Sequence, residues 1–186
     1  MAIIPKNVLR DGHRFAPSEV AIFSRVTVRV IHNLGYSGLF AEEFIPKGTI
    51  IARDGGKVLF SIDDIPSDQK YCTLISENLF LAPSDYESKS PLEYLNHSCD
   101  SNTSRIGGLV YMAKRDIDSG EEINIDYAPL VAGLDNWTMN CLCGSKNCRK
   151  VVTGDDWLRP ELGVTLWNEW LPHIQRKIIT SQEMKK

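Results

Sequence analysis

Three cysteines crowd into the eight residues 141–148, and this cluster constrains the fold more than any other feature of the sequence. The spacing is typical of a loop that holds structural zinc, which requires four tetrahedral nitrogen or sulfur ligands. Three ligands are then Cys141, Cys143 and Cys148. The fourth comes from Cys72, Cys99 or a histidine, and Cys99 is the better candidate because it lies in a polar segment. The alternative is a set of buried or free thiols without metal.

A metal shared by Cys99 and the cluster 141–148 would fold the C-terminal part of the chain back over its centre. Five cysteines, an odd number with three of them clustered, do not resemble a disulfide framework. We therefore expect a reducing compartment, the cytoplasm; action in the nucleus, including the nucleus of a host, stays open. Residues 1–10 lack the apolar core of a secretory signal, and we expect no association with a membrane.

Length and composition indicate one compact domain, because 186 residues with 42% hydrophobic content can bury a core. The formal net charge of -3 leaves no large basic field for a phosphate backbone, so we expect no direct binding to nucleic acid. A mildly acidic chain suits a cationic substrate such as a lysine-rich peptide, although this balance is also ordinary for a globular protein.

Short apolar runs bounded by turn residues predict a mainly β fold. Strands are expected at 26–31, 49–52 and 58–62. Two further strands, 109–113 and 123–127, are separated by a turn signal and are predicted to form a hairpin.

Helical spacing appears only near the end of the chain, in the apolar residues Leu162, Leu166, Trp167, Trp170, Leu171, Ile174 and Ile178. Pro172 should kink or restart this helix. We expect its tryptophans to pack in the core, since an apolar stripe is the usual way a helix docks.

Four motifs in a fixed order resemble the SET-domain lysine methyltransferases that carry a post-SET zinc site. They are the segment 36–41 with the turn 45–48, the polar segment 96–102, the strand 120–127 and the cluster 141–148. Each motif alone could arise by chance, but four in order are specific. The resemblance runs from about residue 22 to residue 150.

The resemblance implies a SET-domain fold of small β sheets with few helices, a C-terminal pseudoknot around residues 96–99, a post-SET zinc loop and a C-terminal helix. It divides the chain into an N-terminal segment (1–21), a SET domain (22–130), a post-SET zinc-binding segment (131–153) and a C-terminal helical extension (154–186).

The resemblance also implies transfer of a methyl group from S-adenosylmethionine to the side-chain amine of a lysine in a protein, such as a histone or another basic protein. The residues expected to bind the cofactor are Tyr36, Ser37, Gly38, Tyr71, Tyr94, Asn96, His97, Tyr127 and Leu142, with Leu142 covering the adenine. The four cysteines Cys99, Cys141, Cys143 and Cys148 are expected to bind structural zinc.

Tyr127 is the expected catalytic residue, since methyl transfer needs a neutral amine held in line with the sulfonium and shielded from water. The expected lysine channel includes Ile125, where many relatives have phenylalanine or tyrosine. Isoleucine brings no hydroxyl, so products beyond monomethyl-lysine are predicted. Alternatively, Tyr111 or Arg105 fills the space.

Other polar residues are assigned no chemistry. Glu121 and Glu122 are interpreted as turn and surface charges, because adjacent strand residues point to opposite faces. His13, His32 and His173 lack neighbouring ligands and are expected at ordinary surface or core positions.

Two other functions remain open from the sequence. The first is methylation of a small polyamine or another non-protein amine by the same fold. The second is an inactive SET-like binding module stabilised by zinc, against which the presence of Asn96, His97 and Tyr127 argues. A Rossmann-type methyltransferase is disfavoured because the sequence has no glycine-rich strand-to-helix fingerprint.

Overall fold

A computed structural model describes residues 20–31, 36–64, 72–83 and 90–183. Its strands are β1 (Ala21–Ile22), β2 (Val26–Ile31), β3 (Tyr36–Ala41), β4 (Ile50–Arg53), β5 (Lys57–Leu59), β6 (Thr73–Ser76), β7 (Leu79–Ala82), β8 (Asn96–His97), β9 (Thr103–Ile106), β10 (Val110–Ala113), β11 (Glu122–Ile125), β12 (Thr138–Asn140) and β13 (Val151–Thr153). Its α-helices are α1 (Ala128–Val131), α2 (Pro160–Thr165) and α3 (Pro172–Glu183), and short 3₁₀ helices cover Ile62–Asp64, Pro91–Tyr94 and Asp156–Leu158. The expectation of a mainly β fold with few helices is confirmed.

The strands of the described residues form three sheets. The largest has the order β1-β4-β10-β9-β11-β3-β2, with β8 pairing to β11. Smaller sheets have the order β5-β7-β6 and the pair β12-β13. The largest sheet covers a core that includes Leu39, Ile45, Ile51, Ile117 and Ile123.

The predicted hairpin of 109–113 with 123–127 is wrong. Strand β10 pairs with β4 and β9, whereas β11 pairs antiparallel with β3 and parallel with β8 and β9. The chain between β10 and β11 does not form a hairpin turn, because Ile117 forms an antiparallel bridge with Ile45 instead. The turn signal at 118–120 therefore directs β11 to a new set of neighbours.

The C-terminal helical pattern is interrupted as predicted, with α2 ending before Pro172 begins α3. The expectation for the tryptophans holds for Trp170, which is buried and donates its indole N–H to the carbonyl of Leu162 across 3.1 Å. Trp167 instead keeps 36% of its surface exposed, because it lies on the outer face of the turn between the helices.

Both C-terminal helices pack against the cysteine-rich segment. A second buried core contains Cys141 and Val152 together with Leu162, Trp170 and Ile174. The segment after the large sheet and the C-terminal extension therefore share one core. None of the helices in the described residues is both long and apolar enough to span a bilayer.

Candidate active site

The pairing of β8 with β11 places two of the sequence motifs side by side. Asn96 lies opposite Asn124, and His97 lies opposite Ile125, in parallel register. The buried Asn102 exchanges hydrogen bonds with Asn124: its backbone N–H donates to Asn124 Oδ1 (3.0 Å), and its Oδ1 accepts from the backbone N–H of Asn124 (2.9 Å). The polar segment and the strand are thus interlocked, as the predicted pseudoknot requires.

Asn96 joins the candidate cofactor loop to this centre. Its Nδ2 donates to the carbonyl of Ser37 (3.0 Å) and to Oε1 of Glu122 (2.7 Å). A Cβ at residue 38 would lie 2.5 Å from Glu122 Oε1 and 3.1 Å from Asn96 Nδ2, so any other residue there would require these side chains to shift. The structure therefore brings together Ser37, Gly38 and Asn96, three residues that the sequence assigned to the cofactor.

Glu122 corrects the interpretation of the acidic pair. Glu121 lies at the turn and pairs with Arg115 at the surface. Because β11 alternates buried Ile123 and Ile125 with polar residues, Glu122 points to the face that carries Asn96. The opposite orientation of adjacent strand residues, already used to separate the two glutamates, was the signal for this contact.

Two of the remaining aromatic candidates, Tyr36 and Tyr94, belong to the described residues. Tyr36 is largely exposed. Its pKa is raised, mainly because the protein partly removes water from the hydroxyl and secondly because the negative charge of Glu122 is nearby. Tyr94 is half-buried and packs against the main core. Tyr71, His13 and His32 lie outside the described residues.

His97 connects the strand end to the cysteines. Its Nδ1 accepts a hydrogen bond from the backbone N–H of Tyr127 (3.1 Å), and its Nε2 lies 3.2 Å from Cys99 Sγ. A backbone N–H can only donate, so Nδ1 carries no proton and Nε2–H donates to the sulfur. Burial lowers the pKa of His97, which favours this neutral form.

Tyr127 follows β11 and lies beside His97. The two ring centroids are 5.3 Å apart, and the Tyr127 hydroxyl donates to the carbonyl of Leu95 (2.6 Å). A phenolic hydroxyl can accept hydrogen bonds as well as donate one.

Four cysteines converge at one point, as the sequence predicts. The sulfur atoms of Cys99, Cys141, Cys143 and Cys148 all lie within 4.8 Å of one another. Cys141 Sγ is 3.7 Å from Cys99 Sγ and 3.6 Å from Cys148 Sγ. Tetrahedral zinc with bonds of about 2.3 Å spaces its sulfur ligands by about 3.8 Å, so the donor set fits zinc.

The thiols of the cluster differ in how readily they ionise, and burial raises the pKa of Cys99. Burial raises the pKa of Cys141 to about 12. Burial opposes ionisation of Cys143 as well, but hydrogen bonds from Ser145 and the neighbouring Cys99 and Cys141 lower its pKa to about 6. The cluster thus holds a thiolate at neutral pH, the form that binds metal. Cys99, and not Cys72, belongs to this group of four cysteines.

Leu142 projects from the cluster with 93% of its surface exposed. A single exposed apolar side chain is ordinary on a protein surface, so the role of Leu142 at the adenine remains what the resemblance implies.

The residues assigned to the lysine channel are all buried. Ile125 belongs to the main core. Tyr111 donates its hydroxyl to Asp54 Oδ2 (2.9 Å), and Arg105 donates Nη1 to the carbonyl of Leu74 (3.4 Å). Burial, followed by the Asp54 charge, raises the pKa of Tyr111 and keeps its hydroxyl protonated.

The family model and the relatives that match this chain are SET-domain proteins and histone-lysine N-methyltransferases. The family model for the SET domain matches residues 37–128. A histone-lysine N-methyltransferase specific for H3 lysine-9, KMT1 of Fusarium mangiferae, is 28% identical over 155 residues, which cover 62% of this chain and 45% of the relative. The chain spans less than half the length of the curated relatives it matches.

Two solved structures share the fold. The methyltransferase domain of human histone-lysine N-methyltransferase SETMAR superposes with a TM-score of 0.51 at 25% identity, covering 70% of this chain and 58% of that one. The structure of KRYPTONITE in complex with mCHG DNA and SAH superposes with a TM-score of 0.56 at 20% identity, covering 70% of this chain and 29% of that one.

Proposed function

Because the chain carries a SET domain and belongs to the SET-domain family of lysine methyltransferases, we propose that it methylates the side-chain amine of lysine in a protein, using S-adenosylmethionine. One observation carries the proposal: strand β8 places Asn96 in hydrogen-bond contact with Ser37 of the candidate cofactor segment and His97 in hydrogen-bond contact with the backbone of Tyr127. An inactive module would have no need for a tyrosine hydroxyl held at that centre.

The proposed cofactor site is the edge formed by Ser37, Gly38 and Asn96. S-adenosylmethionine supplies the methyl group, and SAH, present in the KRYPTONITE structure, is what remains of it after transfer. Leu142 gains burial if it covers the adenine, and full burial of a leucine is worth about 1.5–3 kcal/mol.

Tyr127 orients the amine in this proposal. Its hydroxyl donates to the Leu95 carbonyl, and in the proposal its oxygen accepts a hydrogen bond from the neutral amine of the substrate. The amine lone pair then faces the methyl group, and the proton released on transfer leaves to solvent. Positioning of this kind is the main source of rate in an in-line displacement, because the reacting atoms must be aligned.

Zinc at the four cysteines has a structural role in the proposal. It ties the segment 141–148 to Cys99, which is two residues after His97. Structural zinc sites contribute directly to folding, so the metal stabilises the centre without taking part in the chemistry.

A protein substrate is favoured because the curated relatives are histone-lysine methyltransferases. The competing hypothesis is that the substrate is a polyamine. The DNA in the KRYPTONITE structure belongs to that protein, and the acidic charge of this chain argues against nucleic acid as a partner.

Mass spectrometry of histones, ribosomal proteins and polyamines incubated with the chain and isotopically labelled S-adenosylmethionine tests the proposal. Label on a lysine of a protein supports it; label only on polyamines, or none on any amine, contradicts it. Tyr127→Phe should reduce turnover by about 100-fold or more, because one oriented hydroxyl is lost. Calorimetry should show that this variant still binds the cofactor.

A further inference from the structure

A buried ionic network connects the C-terminal extension to the residue before Tyr127. Arg149 donates to both carboxylate oxygens of Asp126, from Nη1 to Oδ2 (2.7 Å) and from Nη2 to Oδ1 (2.6 Å). Its Nε lies 3.2 Å from Oδ2 of Asp156, in the 3₁₀ helix Asp156–Leu158; the two atoms are within ion-pair distance but are not aligned for a hydrogen bond. The side chains of Arg149, Asp126 and Asp156 are 6%, 2% and 3% exposed.

The bidentate pair fixes the direction of Asp126, since two parallel hydrogen bonds leave the carboxylate little freedom. Asp126 Oδ1 also accepts the backbone N–H of Ala128 (2.9 Å). The Asp126 carboxylate therefore contacts both Arg149 and the backbone of Ala128, and Tyr127 is the residue between Asp126 and Ala128. The Asp126 carboxylate thus connects the Arg149 guanidinium with the backbone that follows Tyr127.

Arg149 is itself held from two directions. Its backbone N–H donates to Cys99 Sγ (3.3 Å), and its guanidinium faces Asp156. Asp156 Oδ1 accepts from the Thr153 hydroxyl (3.2 Å), which anchors this carboxylate in the extension. Without Asp156, the Arg149 guanidinium would keep only Asp126 as an anionic partner, so its direction would be set from one side alone.

We propose that Asp156 is a positioning residue for methyl transfer: it orients Arg149, which orients Asp126 and thereby Tyr127. The inference rests on the proposed function for its kinetic consequence. It assigns to the extension 154–183 a role in the reaction as well as in packing. The adjacent Asp155 offers a matched control, since it is exposed and its side chain makes no capping hydrogen bond to its own helix.

Asp156→Asn should shift the backbone amide resonance of Tyr127 in a ¹⁵N-labelled chain, whereas Asp155→Asn should leave it in place. Asp156→Asn should also lower kcat by about 10- to 100-fold with little change in the KM for the cofactor, because misplacement of a reacting group mainly affects the chemical step. Asp156→Glu, which restores the carboxylate, should recover part of both signals. An unchanged Tyr127 amide, or equal effects of the two asparagine variants, would overturn the proposal.

The amide resonance needs no turnover, so it separates this inference from the proposed function. If the unmodified chain methylates no amine, the proposed function fails while the link from Asp156 to Tyr127 is still tested. If Asp156→Asn does not fold, the unmodified chain provides the measurement: the Arg149 Nε proton should exchange slowly with water. Exchange at the rate of free arginine would overturn the proposal.

Discussion

The backbone N–H of Tyr127 donates to Nδ1 of His97, across 3.1 Å. The other ring nitrogen of His97 faces Cys99 Sγ at 3.2 Å. One imidazole therefore connects the backbone of the proposed catalytic tyrosine with a proposed zinc ligand. The sequence assigned His97 to cofactor binding. In the structure this side chain also contacts both Cys99 of the cysteine cluster and the backbone that follows β11.

Replacing His97 with phenylalanine should weaken zinc binding by about 10- to 100-fold, the usual cost of losing a hydrogen bond to a metal ligand. The phenylalanine ring can still pack against Tyr127, so the loss of zinc affinity would result from the missing hydrogen bonds of His97. Competition with a zinc-sensitive dye measures the affinity. His173→Gln is the control and should leave the affinity unchanged; an equal affinity for His97→Phe would contradict the assignment of Nε2 as donor to Cys99.

Cys99→Ser should lower the zinc content below one ion per chain and weaken cofactor binding, because the metal ties the segment 141–148 to the central strands. Elemental analysis and calorimetry measure the two effects. Cys72→Ser is the matched control, since Cys72 lies outside the cluster. Cofactor affinity that survives the loss of zinc would show that the metal loop and the cofactor site are independent.

Local chemistry made part of this site readable from the sequence. The spacing of three cysteines indicated the metal cluster, and the polarity around Cys99 identified its fourth member. Strand partners were less accessible, because alternation marks a strand without specifying its neighbour. The segments at β10 and β11 were placed correctly, but their pairing depends on Ile117 and Ile45, a contact between distant parts of the chain.

The Asp126–Arg149–Asp156 network illustrates the same limit. Arg149 follows the last cysteine directly, and nothing in its local sequence indicates a buried ion pair. Its partners are 23 residues earlier and in the C-terminal extension. Only the shared core of the cysteine segment and the final helices brings these charges together.

Glu122→Ala should reduce cofactor affinity by about tenfold, because Asn96 loses the carboxylate that orients its amide, and a hydrogen bond to a charged group contributes about 1.5–3 kcal/mol. Calorimetry measures the affinity. Glu121→Ala is the contrasting variant: Glu121 pairs with Arg115 and accepts from Asn102, so its loss should lower the free energy of unfolding and leave cofactor affinity intact. Equal affinities for both variants would exclude Glu122 from the site.

The stability of the chain should fall as the pH drops below about 6.5, the ordinary pKa of histidine. Burial lowers the pKa of His173, at the start of α3, so the unfolded chain takes up its proton at a higher pH than the folded chain. Stability rises with pH where the unfolded state binds more protons, and the dependence ends below the folded pKa. Urea unfolding at several pH values should show a smaller fall for His173→Gln than for the unmodified chain. Parallel curves for the two proteins would show that His173 does not contribute.

The number of methyl groups transferred depends, in our interpretation, on Ile125. Isoleucine brings no hydroxyl to restrain the amine, and Tyr111, which could have filled the space, has its hydroxyl engaged by Asp54. We therefore predict products beyond monomethyl-lysine. Intact-mass analysis over time, with excess cofactor, measures how many methyl groups are added. Ile125→Tyr should shift the products toward fewer methyl groups, because its hydroxyl can hold the amine or a water molecule. Ile125→Phe controls for ring size, since a larger side chain in a packed core costs about 1–3 kcal/mol of stability by itself. Exclusive monomethylation by the unmodified chain, or the same product distribution from Ile125→Tyr and Ile125→Phe, would rule out a role for the missing hydroxyl.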